Sequence, residues 1–202
     1  MKIKHCITLS AALLAASLLT SCATAKVDSW TDPAFSGRAI GETMVLAVSE
    51  ADATRHQFED LFVQNLSGIG VNAVASHTLM PADRPLTETE IDQALKRVPA
   101  DSVIVTKITD KKKQVEVVPP VTYHDPFDYY SFSYSHMNSP GYTRNYTEVY
   151  LEMNLYDVAT RKLVWTGQTK VTDYKSSEKN MELVVEGIIK DLQKQGLAPS
   201  SN

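Results

Sequence analysis

A chain of 202 residues, 43% of them hydrophobic, has the material for one main core and little more. Its 20 Lys and Arg against 24 Asp and Glu leave a net charge of −4, and an acidic surface repels phosphate backbones, which sets nucleic acid aside as a partner. Two cysteines, Cys6 and Cys22, are too few and too close to the N-terminus for a disulfide framework.

The first element is a leader. Lys2 and Lys4 precede an apolar run from Ile7 to Leu19, too short to span a bilayer and suited to the hydrophobic region of a secretory signal. Leu19-Thr20-Ser21-Cys22 closes the run and matches the bacterial lipoprotein signal, in which the cysteine thiol takes a diacylglycerol and the peptide is cut just before it. Residues 1–21 are therefore expected to leave and Cys22 to carry the lipid. Ala23 follows where, in lipoproteins of two-membrane bacteria, an aspartate would mark retention at the inner membrane; the resemblance implies the outer membrane, with the domain facing the periplasm. Several acyl chains, at about 0.8 kcal/mol per buried methylene, would anchor the protein without a transmembrane helix. The 181 residues from Cys22 onward keep 18 basic and 24 acidic residues, a net charge of −6, and no free thiol.

Residues 22–41 are polar and small, with Pro33, Gly37 and the aromatics Trp30 and Phe35, and read as the acylated N-terminus and a tether. From residue 42 to 197 a single α/β domain is expected, followed by a short tail at 198–202. Thr43 to Val48 is apolar without alternation, as a strand covered on both faces should be. Asp52 is positioned to cap a helix whose Phe58, Leu61, Phe62, Leu66 and Ile69 fall on one stripe, with Gly68 and Gly70 ending it. Val71 to Ala75 reads as a second strand, and Pro81, Asp83 and Pro85 as a loop. Thr87 with Glu90 forms a capping box for a helix carrying Ile91, Ala94, Leu95 and Val98, which Pro99 stops. Ser102 to Thr109 supplies a third strand. This strand-helix-strand-helix-strand order is the mark of crossovers that build a parallel sheet.

The remainder changes character. Val149, Leu151, Met153 and Leu155 alternate with Tyr150, Glu152, Asn154 and Tyr156, and a turn near Asp157 to Arg161 leads into Leu163 to Thr172, an antiparallel hairpin. A last helix beginning near Ser176 or Ser177 stacks Met181, Val184, Val185, Ile188, Ile189 and Leu192 before Gly196. The expected fold class is α/β, a mixed sheet of about five strands packed by three helices.

Between residues 119 and 147 the period breaks. Tyr123, Phe127, Tyr129, Tyr130, Phe132, Tyr134, Tyr142 and Tyr146 are half of the 16 aromatics, set among Pro, Ser and Asn. Such rings give large contact area at small entropic cost, and their hydroxyls tolerate water, so Tyr123, Phe127, Tyr129, Tyr130, Phe132 and Tyr134 are the candidates for binding a partner. The alternative is packing, with Tyr130, Phe132 and Tyr134 in extra strands that extend the sheet.

No catalytic residue is nominated. His124, Asp125, Asp128 and His136 match no metal-site spacing and read as solvated loop residues, so neither a metal nor a cofactor is expected. His56 and Glu59, one helical turn apart, read as an exposed polar face. Gly68-Ile69-Gly70 with Ala73 imitates a dinucleotide fingerprint but follows a helix instead of preceding one. Lys111-Lys112-Lys113 reads as a solvated strand end or loop in preference to a lipid-headgroup contact.

The hairpin text Leu155-Tyr156-Asp157-Val158-Ala159-Thr160-Arg161-Lys162-Leu163-Val164-Trp165, with the early strand and its phenylalanine-bearing helix, resembles that of small bacterial lipoproteins whose mature part is one periplasmic α/β domain. The architecture is more distantly similar to the penicillin-binding-protein activator lipoproteins, the curli-secretion lipoprotein and the N-terminal domain of the periplasmic Tol-system protein. The resemblance implies a lipid-anchored binding or envelope-assembly module whose partners are the membrane, through the N-terminal lipid, and an envelope protein or cell-wall component. Pairing with further copies of the chain is a related expectation. A hydrolase acting on envelope material is the alternative.

Overall fold

The computed structural model describes residues 25–80, 84–118, 130, 142–172 and 178–200. In chain order the elements are β1 (Val27–Thr31), β2 (Thr43–Val48), α1 (Asp52–Gly68), β3 (Ala73–Ala75), a 3-10 turn (Ser76–Thr78), α2 (Glu88–Arg97), β4 (Ser102–Val118), β5 (Tyr142–Asp157), β6 (Leu163–Thr172) and α3 (Glu178–Lys194). The strands form one mixed sheet in the order β1-β6-β5-β4-β2-β3. β2 is parallel to β3 and β4, and β4, β5, β6 and β1 pair antiparallel in succession.

The fold is α/β as the periodicities predict, with a sixth strand. β2 lies between β3 and β4, so the crossover through α1 runs one way across the sheet and the crossover through α2 runs back. A common handedness then puts the two helices on opposite faces. Phe58, Phe62 and Leu66 of α1 and Val184, Val185, Ile188 and Leu192 of α3 pack with Val45, Ile104, Met153, Leu155 and Trp165 of the sheet. On the other face Ala94, Ile91 and Leu95 of α2 meet Met44, Leu46, Val103 and Val105. β2 feeds both clusters, which is why its apolar run has no alternation.

Both long helices end in a Schellman turn. The amide of Val71 donates to Leu66 O at 3.0 Å and that of Gly70 to Ser67 O at 3.0 Å; the amide of Leu197 donates to Leu192 O at 2.8 Å and that of Gly196 to Gln193 O at 3.0 Å. Gly70 (φ 82°) and Gly196 (φ 72°) take the left-handed residue these turns require, so the glycines after α1 serve a cap and not a phosphate loop. The Thr87–Glu90 capping box is formed on both sides.

Four sequence expectations are corrected. The tether contributes β1, which pairs with β6 from Val27↔Thr169 to Thr31↔Trp165, while Phe35 is buried and Ile40 N donates to Leu197 O at 2.8 Å. Its inward residues, Val27, Ser29 and Thr31, are mostly polar, so the strand has no hydrophobic period and is recruited by the open edge of β6. Asp52 is the first residue of α1 and not its cap; Ala51 holds the cap position without a side-chain bond, and its amide donates to Ser49 Oγ at 3.2 Å. β4 runs on past Thr109 to Val118, and β5 begins at Tyr142, well before Val149, because the two strands complete each other. Glu59 is buried rather than exposed.

Candidate functional site

The extension of β4 and β5 makes a two-stranded arm. β2 last pairs with β4 at Val48↔Lys107, and β6 last pairs with β5 at Thr172↔Glu148. Beyond those rungs Lys113–Val118 and Tyr142–Thr147 pair only with each other, and among the described residues neither outer edge has a neighbouring strand. A bulge between Ile108 and Asp110 marks the root, where Thr109 Oγ1 donates to Tyr150 O at 3.3 Å. The exposed Lys111, Lys112 and Lys113 line one open edge, a placement that discourages uncontrolled strand addition.

One carboxylate clamps the arm to the sheet. Glu148 Oε1 accepts from Lys170 Nζ of β6 at 2.7 Å, and Oε2 accepts from Tyr150 OH at 3.0 Å and Gln114 Nε2 of β4 at 3.2 Å. Three strands therefore converge on a residue only 8% exposed. The lysine bond, then the tyrosine bond, holds the Glu148 carboxyl below its ordinary range, and the same contact raises Lys170. Lys112 Nζ lies 4.9 Å from the centroid of the Tyr150 ring and 3.3 Å from Asp110. Four residues further along β5, Lys107 and Asn154 both bond Glu152 and lower its carboxyl, the asparagine first.

At the arm's root, on the face covered by α1 and α3, lies a solvent-open apolar groove lined by Val48, Phe58, Ile108, Val149, Met181 and Val184 among others. Thr106 also lines it, and its Oγ1 is buried without a hydrogen-bond partner among the described residues. Val48 is 56% exposed and Ile108 36%. α2 and the β5–β6 turn flank a second, more polar cleft at the opposite end of the sheet, where Arg161 Nη1 bonds Glu88 at 3.1 Å and Nη2 bonds Asp92 at 3.0 Å. Arg161 takes φ 57°, set by a turn in which Asp157 Oδ1 accepts from Thr160 N at 2.8 Å.

A buried polar network that sequence reasoning missed lies where α1, β2 and the 3-10 turn meet. Glu59 Oε1 accepts from Ala47 N at 2.9 Å, Arg55 Nε at 3.0 Å and Ser76 Oγ at 2.7 Å, and Oε2 accepts from His77 N at 2.8 Å. Arg55 Nη2 also donates to Ser76 Oγ at 2.7 Å. With four donors this carboxylate ties α1 to β2 and the 3-10 turn and has little capacity left for a ligand. The i,i+4 spacing of Arg55 and Glu59 was the available signal. His56 lies outside that knot, stacked 4.2 Å from the His77 ring, whose Nε2 is 2.7 Å from Asp60 Oδ1.

Of the predicted site residues, Cys22, Tyr123, Phe127, Tyr129, Phe132 and Tyr134 lie outside the described residues, as do His124, Asp125, Asp128 and His136. Tyr130 is described and is 70% exposed. Among the described residues no three His, Cys, Asp or Glu side chains gather to hold a metal ion. No helix among them is long and apolar enough to cross a membrane.

No protein-family model matches the chain. No curated protein matches it either. Among solved structures it is similar to a variant PelC dodecamer from Paraburkholderia phytofirmans, at TM-score 0.48 and 14% identity over 87% of this chain and 99% of that one. It is also similar to lipoprotein GNA1162 from Neisseria meningitidis, at TM-score 0.41 and 11% identity over 76% and 99%. A third likeness is to a putative neuraminyllactose-binding hemagglutinin homolog from Helicobacter pylori, at TM-score 0.36 and 13% identity over 78% and 86%. The neighbours thus include a lipoprotein, and the likeness concerns the path of the chain alone.

Proposed function

We propose that this chain is an outer-membrane lipoprotein, anchored through Cys22 and facing the periplasm, whose α/β domain holds an envelope protein or cell-wall component through Tyr123, Phe127, Tyr129, Tyr130, Phe132 and Tyr134. The observation that carries the binding part is the arm. Among the described residues the Val118–Tyr142 pair is the last rung of a ladder that has left the sheet, and the tyrosine-rich segment joins those two residues. The clamped ladder holds Val118 and Tyr142, the two ends of that segment, away from the core, which favours recognition over covering the core. The lipid signal at residues 19–22 supports the anchor, and the resemblance of the hairpin text to small envelope lipoproteins supports the setting.

The test is a crosslinking pull-down from membranes with the intact lipoprotein and a variant in which an Asn-Gly turn replaces residues 119–141. Val118 and Tyr142 are already paired, so a two-residue turn closes the hairpin. Loss of the intact protein's specific partners with the melting temperature kept is expected. Unchanged partners would refute the role of the segment.

A further inference from the structure

The arm and the N-terminal stretch at Ala25 and Lys26 leave the sheet in the same direction. β1 and β5 both pair antiparallel with β6 and so run parallel to each other, and Val27, Thr169, Leu151 and Ile108 stand in one rung across the sheet. From that rung the chain before Val27 heads toward Cys22, while β5 extends nine residues to Tyr142. At about 3.3 Å per residue the arm therefore projects about 30 Å past the rung. Cys22 is five residues from Val27 and reaches at most about 18 Å from it when fully extended. Its reach is further reduced by Ala25, whose amide donates to Leu183 O of α3 at 3.2 Å. The arm outreaches the anchoring chain, so a domain held by lipid on Cys22 has no upright pose in which the arm clears the membrane.

We infer that the β4–β5 arm rests against the phospholipid headgroups of the bilayer that holds Cys22, an inference that depends on the lipid-anchor reading above. Its composition fits the headgroup layer and not the hydrocarbon. Lys111, Lys112, Lys113 and Arg144 along it would each cost about 2 to 4 kcal/mol at the midplane of a bilayer, which forbids a spanning hairpin. Val115, 66% exposed, lies among them and has no core to join. A partner recognised beyond Val118 is then one that lies close to the membrane surface.

The test uses the lipidated full chain in vesicles of phosphatidylethanolamine and phosphatidylglycerol. Val115→Cys on the arm and Thr160→Cys in the β5–β6 turn at the far end each carry an environment-sensitive label, Cys22 being blocked by its lipid. Headgroup spin-labelled lipid is expected to quench the label at 115 severalfold and to leave the label at 160 unaffected. Protein that floats with the vesicles while both labels stay unquenched, or while 160 is quenched as strongly as 115, overturns the inference. Protein that fails to float overturns the anchor reading and takes the inference with it.

Discussion

Arg55→Met tests the buried network most directly. Arg55 is 4% exposed and Glu59 is fully buried, and the guanidinium is the cation bonded to that carboxylate. Methionine keeps much of the aliphatic volume but removes the bonds to Glu59 Oε1 and Ser76 Oγ. Leaving a buried carboxylate without its cation costs about 3 to 5 kcal/mol, a large part of the roughly 5 to 15 kcal/mol that holds a domain together. With a urea slope of about 1 to 3 kcal/mol per molar, the midpoint should fall by roughly 2 M. Trp165 fluorescence reports the transition, because this residue is fully buried and its Nε1 donates to Asp191 Oδ2 at 2.9 Å. Arg55→Met combined with Glu59→Gln should recover part of the loss, since no charge is left stranded, while one of the two backbone amides that bond Glu59 loses its acceptor. A single variant within about 1 kcal/mol of the parent, or a double variant less stable than the single, would refute the reasoning.

Glu148→Gln is expected to destabilise the arm at neutral pH. Because the folded protein holds the Glu148 carboxyl below its ordinary value of 4.5, its contribution is present above that value and is lost as pH falls through the lowered one. The stability difference between parent and variant should therefore shrink on acidification below about 4.5, as followed by chemical denaturation. Gly187→Ala should release the N-terminal stretch, since a Cβ at 187 would lie 2.4 Å from Ala25 O, a backbone atom. Hydrogen exchange at the Ala25 amide should quicken while the amides of α3 stay protected; unchanged exchange at Ala25 would show that the contact does not hold the stretch.

Much of the fold was legible because its signals are local. The stripe on α3, the capping box at Thr87 and Glu90, and the alternation of Val149 through Leu155 each specify an element within a few residues, by the periods of helix and strand. The proposed anchor at Cys22 is likewise a reading of adjacent residues. What only the tertiary structure decided depends on partners distant in sequence. Val27 to Thr31 becomes a strand because β6, more than 130 residues later, offers an open edge. Lys111 to Val118 becomes half of an arm because residues 142–149 stand opposite, and Glu59 is buried because Ala47 and Ser76 come to meet it. A backbone hydrogen bond costs the same to satisfy whichever residues surround it, so edge pairing leaves little trace in side-chain pattern. Local periodicity determined which elements exist; long-range pairing determined where they end and in which direction the arm projects.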